Sequence, residues 1–373
     1  MKCKLSDICS FRKGKVEVEN LNVKNYISTE NMLPDKCGIT EASSLPTVSL
    51  TQEYKNGDVL VSNIRPYFKK IWQAQYDGGC SNDVLVFVPK PNTDKDFLYY
   101  VLADDDFFTY SMATSKGTKM PRGDKTSIMQ YEVPLIDLQV QKKIASVLKS
   151  LDDKIALNNA INNNLEQQAQ AIYSNMVPYS VDDALPTEWY KGTVEDIIEI
   201  HDSKRIPLSG QARQKMEKKT YPYYGAASLM DYVDNYIFDG KYLLLGEDGT
   251  VVDAAGFPIL QYVWGKFWVN NHAHILTGKR GFNVESLMLL FRKTPVKSIV
   301  TGAVQPKISQ ANLKSIPIVI PSKSVLYELN SVIEPLFAQI RLNIDENKSL
   351  AALRDALLPK LMSGEIDVSD ITI

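Results

Sequence analysis

IASVLKSLDDKIALNNAINNNLEQQAQAIYSNM, Ile144 to Met176, carries Ile144, Leu148, Leu151, Ile155, Leu165, Ala169, Ile172 and Met176 in alternating steps of four and three, with Asn158 and Asn162 interrupting. Sustained spacing of this kind buries one narrow stripe of a helix against another helix. Moving 185 positions along the chain returns the pattern as Leu329, Ile333, Leu336, Ile340, Asn343, Asn347, Leu350, Arg354, Leu357 and Leu361. The polar interruptions recur at the same places. An Asn in a coiled-coil seam costs stability but fixes register, because a slipped Asn is buried without a partner. The two helices are therefore expected to pair with each other, antiparallel. Leu151, Ile155, Asn158, Asn162 and Leu165 would face Leu336, Ile340, Asn343, Asn347 and Leu350, with the four Asn near the crossing.

The duplication extends upstream of the helices. TSKGTKMPRGDKTSI places Gly117 and Pro121 where VTGAVQPKISQANL places Gly302 and Pro306, again 185 apart; Arg122 matches Lys307 and Ile128 matches Leu313. LSDIC at Leu5 to Cys9 resembles VEDII at Val194 to Ile198, with Asp7 opposite Asp196. Short apolar segments, Val133 to Ile136 and Ile316 to Ile320, lead into the two helices with registers about two residues apart. Each repeat is thus a globular unit followed by a long helix. The division reads as globular domains at 1–132 and 179–315, with helical spacers at 133–178 and 316–373.

Within the globular parts GDVLVSNI, DVLVFVP, YLLLGEDGTVVD and AHILTG are short β-branched and aromatic runs bounded by Gly, Asn, Asp or Pro, as strands are. Helical stretches are fewer, Asp96 to Phe108 and Val284 to Phe291. The fold class is α+β: two similar β-rich domains separated by two long antiparallel coiled-coil helices, an internal pseudo-two-fold repeat. A rod from Leu138 to Met176 measures roughly 55–60 Å at 1.5 Å per residue, long enough to hold two domains apart. Pro335 stands where the first rod has Ser150, which predicts a kink or break near Ser331 to Pro335. Val177 to Trp189, polar and punctuated by Pro, reads as a linker.

At 373 residues the chain exceeds one typical domain, and 44% hydrophobic with 23% charged residues is ordinary for a folded soluble protein. No run approaches the roughly 20 apolar residues that cross a bilayer, and MKCKLSDICSF has no signal-peptide core; a cytoplasmic protein with no membrane association is expected. Cys3, Cys9, Cys37 and Cys80 lack CxxC spacing and read as reduced thiols. The net charge of −2 does not advertise nucleic-acid binding, so a phosphate-binding face must come from local segregation of charge.

Two similar domains on a stiff spacer suit a target presenting two sites at fixed separation. DNA does so, its faces recurring about every 34–36 Å. Three strings carry a resemblance: PYYGAASLMDYVDNYIFDGKYLLLGEDG (Pro222 to Gly249), QKKIASVLKSLDDKIALNN (Gln141 to Asn159) and LLPKLMSGEID (Leu357 to Asp367). Their order and the duplication resemble the specificity subunit of type I restriction-modification systems over essentially the whole chain. That resemblance implies two target recognition domains, each reading half of an interrupted sequence. It also implies two adenine methyltransferase subunits docked on the helices, with two restriction and translocation subunits in the full complex. S-adenosylmethionine would belong to the methyltransferase, and this chain would perform no chemistry. In keeping with that, the chain has no Asn-Pro-Pro-Tyr-like motif, no glycine-rich cofactor loop and no P-loop.

Lys and Arg neutralise phosphates, while Arg and polar side chains can read base edges. In the first unit the DNA-binding candidates are Arg65, Tyr67, Lys69 and Lys70, then Lys116, Lys119, Arg122 and Lys125, with Lys69 and Lys70 read as phosphate anchors. In the second they are Lys204, Arg205, Arg213, Lys218 and Lys219 from the basic run HDSKRIPLSGQARQKMEKK, together with Tyr223 and Lys307. Each has a plainer reading: basic runs are solvated loops, and dense tyrosines such as Tyr221, Tyr223 and Tyr224 pack cores. Glu247 and Asp248 in GEDG read as a tight turn, with an acceptor for a cytosine amine as the functional alternative. His272 and His274 share a strand face but have no further ligand at metal-site spacing, so no metal is expected; His201 beside Asp202 is a polar contact candidate. Two rivals remain: a coiled-coil scaffold that never meets DNA, and an enzyme with a carboxylate site around Asp234, Asp239, Glu247 and Asp248.

Overall fold

The computed structural model describes residues 1–302, 304–369 and 371, and the chain divides into two compact units. Unit 1 combines Met1–Asn158 with Asp345–Ile373; unit 2 is Asn159–Ile344. Each therefore owns part of both long helices.

Unit 1 runs β1 (Lys2–Lys4), α1 (Leu5–Ile8), β2 (Cys9–Phe11), β3 (Lys15–Glu17), β4 (Tyr26–Ile27), β5 (Leu50–Tyr54), β6 (Val59–Ser62), β7 (Ile71–Gln73), β8 (Gly78–Cys80) and β9 (Val84–Pro89). Then come α2 (Lys95–Ala103), α3 (Asp105–Ala113), α4 (Lys125–Ile128), β10 (Glu132–Pro134) and the start of α5 (Leu138–Met176). Unit 2, after the rest of α5, runs β11 (Tyr190–Thr193), α6 (Val194–Ile197), β12 (Ile198–Ile200), α7 (Gly210–Gln214), β13 (Tyr221–Tyr224), β14 (Leu229–Val233), β15 (Phe238–Asp239) and β16 (Tyr242–Gly246). It continues with β17 (Leu260–Val263), β18 (Lys266–Val269), β19 (Ala273–Gly278), α8 (Val284–Phe291), α9 (Gln310–Lys314), β20 (Pro317–Ile320) and α10 (Lys323–Ser363), whose last part returns to unit 1.

The same frame is built twice. β1 pairs with β10, and β11 with β20, so each unit clamps its own beginning to the strand that feeds its long helix. The one-turn helices α1 and α6 are each held by an Asp, Asp7 and Asp196, that accepts the cap backbone N–H of Lys4 and Thr193. One antiparallel sheet has the order β2-β9-β6-β7 in unit 1 and β12-β19-β16-β17 in unit 2, the same threading in both. The other sheet differs: β3-β5-β8-β4, where β4 runs parallel to β8, against β14-β13-β18-β15, where β13 runs parallel to β18. The duplicated text thus encodes the frame, while the divergent text folds into sheets of different topology.

Both long helices dock on each unit through the buried stripe. In unit 1 Ile144 and Leu148 of α5 and Leu358 and Leu361 of α10 join Leu5, Phe87, Phe97 and Phe107 in one core. In unit 2 Ala169 and Tyr173 join Leu329, Ile333, Phe337 and the α8 residues Leu287 to Phe291. Each such Leu, Ile or Phe contributes about 1.5–3 kcal/mol by leaving water.

The helices pair antiparallel, as the spacing implies. In unit 1 Asn158 Nδ2 donates to Asn347 Oδ1 at 2.9 Å and to Glu346 at 2.7 Å, while Arg354 donates to Asp152 at 2.6 Å. In unit 2 Asn343 Nδ2 donates to Asn162 Oδ1 at 2.8 Å. Arg354, in the seam place that the other helix gives to Ala169, is held by Asp152, which also accepts the Tyr100 hydroxyl at 2.7 Å.

Two expectations fail. α10 is helical without a break through Pro335. Pro335 and Ser331 both lie on its exposed side, so the carbonyl that loses its helical partner faces water while Ile333, Phe337 and Ile340 stay buried. The single helix expected from Asp96 to Phe108 is two, because Asp104 adopts an extended backbone and caps α3 by accepting the Asp106 N–H. The second expected helix, Val284 to Phe291, is α8 residue for residue.

Candidate nucleic-acid interface

In unit 1 the β6–β7 turn and the hairpin before α4, separate in sequence, come together. Arg65 N–H bonds Pro121 O at 2.8 Å, Ile64 bridges to Arg122, and Lys116 and Arg122 exchange backbone bonds at 2.9 Å. Gly117, with φ 93°, turns the hairpin in the left-handed region that side chains resist. Its partner Pro121 is buried. The result gathers Arg65, Tyr67, Lys69, Lys70, Lys116, Lys119 and Arg122 on neighbouring loops.

Several of these cations are already engaged. Lys69 and Lys36 converge on Asp105 at 2.7 and 2.8 Å. Burial presses the Asp105 carboxyl upward, but the two ammonium groups outweigh it and hold it below its ordinary range. Lys70 donates to Thr29 O at 2.6 Å, and burial lowers its pKa. Arg122 pairs with Asp83 at 3.1 Å. Lys116 pairs with Asp124, whose pKa falls to about 2 through that bond and the Ser127 N–H. Lys125 lies over the Phe11 ring at 5.9 Å. Among the described residues, Lys119 and the side chain of Arg65 have no hydrogen-bonding partner. Beside these loops a polar cleft of about 480 Å³ is lined by Ser28, Thr29, Glu30, Ser43, Ser81 and Asp83.

Unit 2 repeats the loop geometry with other side chains. Gly249 N–H bonds Pro306 O at 2.9 Å, Asp248 bridges to Lys307, and Thr301 exchanges backbone bonds with Lys307. Here the loop bases on a buried charge network. His274, fully buried, places Nδ1 2.6 Å from Asp202 and Nε2 2.8 Å from Ile308 O, so both ring nitrogens face acceptors. Arg205 joins Glu247 at 2.5 Å and Asp202 at 3.4 Å, Lys307 reaches Glu247 at 3.2 Å, and Gln310 donates to Asp202 at 2.6 Å. Burial favours protonation of both carboxyls. The donors opposite them prevail, and Asp202 and Glu247 both sit below their ordinary pKa.

Asp202, Glu247 and His274 bring ligating atoms within 4.8 Å of one another, a cluster hidden from sequence reading because its members come from distant segments, a turn after β12, the loop after β16 and β19. Arg205 and Lys307 already supply its positive charge, so the group is a salt-bridge network rather than a cation cage. His272 pairs with Asp248 on the outer side. His201 Nε2 lies 2.8 Å from the Thr277 hydroxyl. Among the described residues, Asp234, Asp239, Glu247 and Asp248 of the enzyme reading form no such cluster. Asp234 accepts the backbone N–H groups of Lys218 and Lys219 at 2.8 Å, and Asp239 sits on the exposed side of β15.

The basic run of unit 2 splits into held and free cations. Arg213 stacks over Tyr223 at 4.8 Å and bonds Asp231 at 3.2 Å; Lys219 reaches the same carboxylate at 3.3 Å. Tyr223 is only 1% exposed and its hydroxyl accepts the Leu208 N–H, so it is a packing residue with no face for DNA. Arg205 is spent on the network beneath the loop. Lys204, Lys215 and Lys218 are exposed and carry no ion pair among the described residues. Leu229, Met230 and Tyr232 are exposed on the edge strand β14, and Asp83 and Asp105 hold Arg122, Lys36 and Lys69 in unit 1; none of these placements was legible in the sequence.

A family model described as the type I restriction modification DNA specificity domain matches residues 1–167 and again 186–351. The chain belongs to this family. The two matches are its two recognition domains. The MjaIX type I restriction enzyme specificity subunit of Methanocaldococcus jannaschii is 24% identical over 314 residues, 76% of this chain and 72% of that protein. The HindI specificity subunit of Haemophilus influenzae is 30% identical over 164 residues, 40% of this chain but 34% of that protein. The chain thus aligns with about a third of that Haemophilus relative's length. The crystal structure of a type I restriction-modification S subunit from M. genitalium shares the fold, with TM-score 0.57 and 17% identity across 100% of this chain and 96% of that one. Among the described residues no helix is long and apolar enough to cross a membrane.

Proposed function

We propose that this member of the specificity family reads a two-part DNA sequence, one half with each unit, and performs no chemistry itself. The observation that carries the reading is the repeated loop pair, Arg65 to Pro121 and Gly249 to Pro306, mounted on the same sheet frame but dressed with different side chains. A shared frame serves the shared backbone of DNA, and different loops serve different bases. Lys204, Lys215, Lys218 and Lys119 supply phosphate contacts, giving an affinity that weakens as salt rises.

The paired α5 and α10 set the interval between half-sites and dock two adenine methyltransferase subunits, which carry S-adenosylmethionine and flip the target adenine from the stack. Two restriction and translocation subunits complete the assembly. The exposed Leu157, Ile161, Leu342 and Leu353 on these helices supply apolar surface for docking. The test is retention on duplex DNA with the methyltransferase partner present, measured across salt concentrations. The reading expects retention that falls steeply with salt; a chain not retained at low salt would be a protein scaffold.

A further inference from the structure

The turn Arg65–Pro66–Tyr67–Phe68–Lys69 of unit 1 is built at a backbone cost. Arg65 and Lys69 both sit in the left-handed region, at φ 50° and 49°, where a side chain is disfavoured. The repeat shows that the cost at Arg65 is avoidable. In unit 2 the residue making the same bond, to Pro306 instead of Pro121, is Gly249 at φ 85°, with open space around it. After Gly249 come Thr250, buried Val251 and half-buried Val252, without a ring.

What unit 1 keeps instead is a stiff aromatic knuckle. Tyr67 and Phe68 are 49% and 37% exposed, their ring centroids 4.7 Å apart. The backbone beneath them is pinned by Phe68 N–H to Arg65 O, Lys69 N–H to Pro66 O, and the Asp35 and Lys36 N–H groups to Phe68 O and Lys69 O, all between 2.8 and 3.0 Å. Pro66 adds its fixed φ. Around the rings stand Lys36, Lys69, Lys70 and Arg65, with Lys36 and Lys69 paired to Asp105 and with Asp35 and Glu30 as further carboxylates nearby. Lys70 lies 5.7 Å from the Phe68 centroid. The Arg65 Nε is buried without any partner. Exposed apolar rings, prepaid rigidity and a cationic rim are what a side chain needs to enter a base step while its neighbours hold the strand.

The geometry points to Tyr67 and Phe68 as a wedge that unstacks one base step in the half-site read by unit 1, with no counterpart in the half-site read by unit 2. This rests on the DNA-reading function above and adds a distortion to it. Wedges of this kind kink a duplex by about 20–90°.

The experiment uses the complex with its methyltransferase partner and duplexes carrying 2-aminopurine at each position of both half-sites in turn. Beyond the flipped target adenines, one further position should brighten, in one half-site only. Y67A and F68A, checked for an unchanged melting curve, should lose that signal and lengthen the end-to-end distance of a doubly labelled duplex; Y67F should retain both. A wild-type complex that binds with steep salt dependence yet brightens no further position overturns the wedge and leaves the DNA-reading function standing. A complex that does not bind DNA defeats that function instead. Variants that lose methyltransferase association while the DNA signal is unaltered would make the knuckle a protein contact, which also overturns the wedge.

Discussion

The Asn162–Asn343 layer allows a quantitative test of the paired helices. The two residues are 8% and 5% exposed, and Asn343 Nδ2 donates one hydrogen bond of 2.8 Å to Asn162 Oδ1. Replacing Asn343 with Leu leaves the Asn162 carboxamide oxygen buried without a donor, at about 1–3 kcal/mol. Asn162→Leu strands Asn343 in turn, although Gln339 still donates to its oxygen at 2.7 Å, so the second single change should cost less. The double variant strands nothing and gains apolar burial, so it should be at least as stable as the parent. The cycle should therefore give a coupling on the order of 1–3 kcal/mol. At about 2–4 °C per kcal/mol for a domain of this size, the single changes are separable by thermal unfolding. Three of the four Trp residues, Trp189, Trp264 and Trp268, lie in unit 2, so Trp emission follows the unit that contains the layer. Additive losses, with the double variant as unstable as the two singles combined, would refute the paired-amide account.

Other outcomes follow from the same structure. Inserting one heptad into both α5 and α10 adds about 10.5 Å of helix, and on the ruler reading should lengthen the unread gap between half-sites by about three base pairs; an unchanged gap in a methylation footprint argues against the ruler. Asp202 and Glu247 hold protons less readily folded than unfolded, so their contribution is complete above the ordinary carboxylate range of about 3.9–4.3 and drains away as pH falls through their lowered values. Acid unfolding of unit 2 should therefore be shallower in D202N; an acid limb identical to the parent's would show that the network is not coupled to folding. Glu285, fully buried, bonds Lys241 at 2.8 Å, the Tyr262 hydroxyl at 2.7 Å and Arg341 at 3.2 Å. E285A should destabilise the chain by on the order of 3 kcal/mol, read by denaturant midpoint. K204A should lower the salt slope of DNA binding by about one while weakening all sequences alike; a change confined to one sequence would make Lys204 a base reader.

The frame was legible because it is local and repeated. Heptad spacing marked α5 from Leu138 to Met176, and the Asn positions foretold the layers that Asn158, Asn162, Asn343 and Asn347 form. Gly117 and Pro121, with Gly302 and Pro306, marked the repeat but not what it builds, two hairpins that bridge back to the loops after β6 and β16. Contacts made by distant segments were hidden. Nothing in the spacing brings Asp202 and Glu247 to His274, or Lys36 and Lys69 to Asp105, since each meeting depends on sheet order. Tyr223 shows the opposite error: proximity to a basic run suggested a contact, but Arg213 packs on its face and buries it. Pro335 misled because proline disturbs a helix least where the freed carbonyl meets solvent.

Genome-wide mapping of methylated adenines, with and without this gene, tests the central claim most directly. The account predicts that deletion removes methylation from one interrupted motif, its two specified halves separated by a fixed unread gap. An unchanged methylation pattern, or the loss of a motif without a gap, would contradict it.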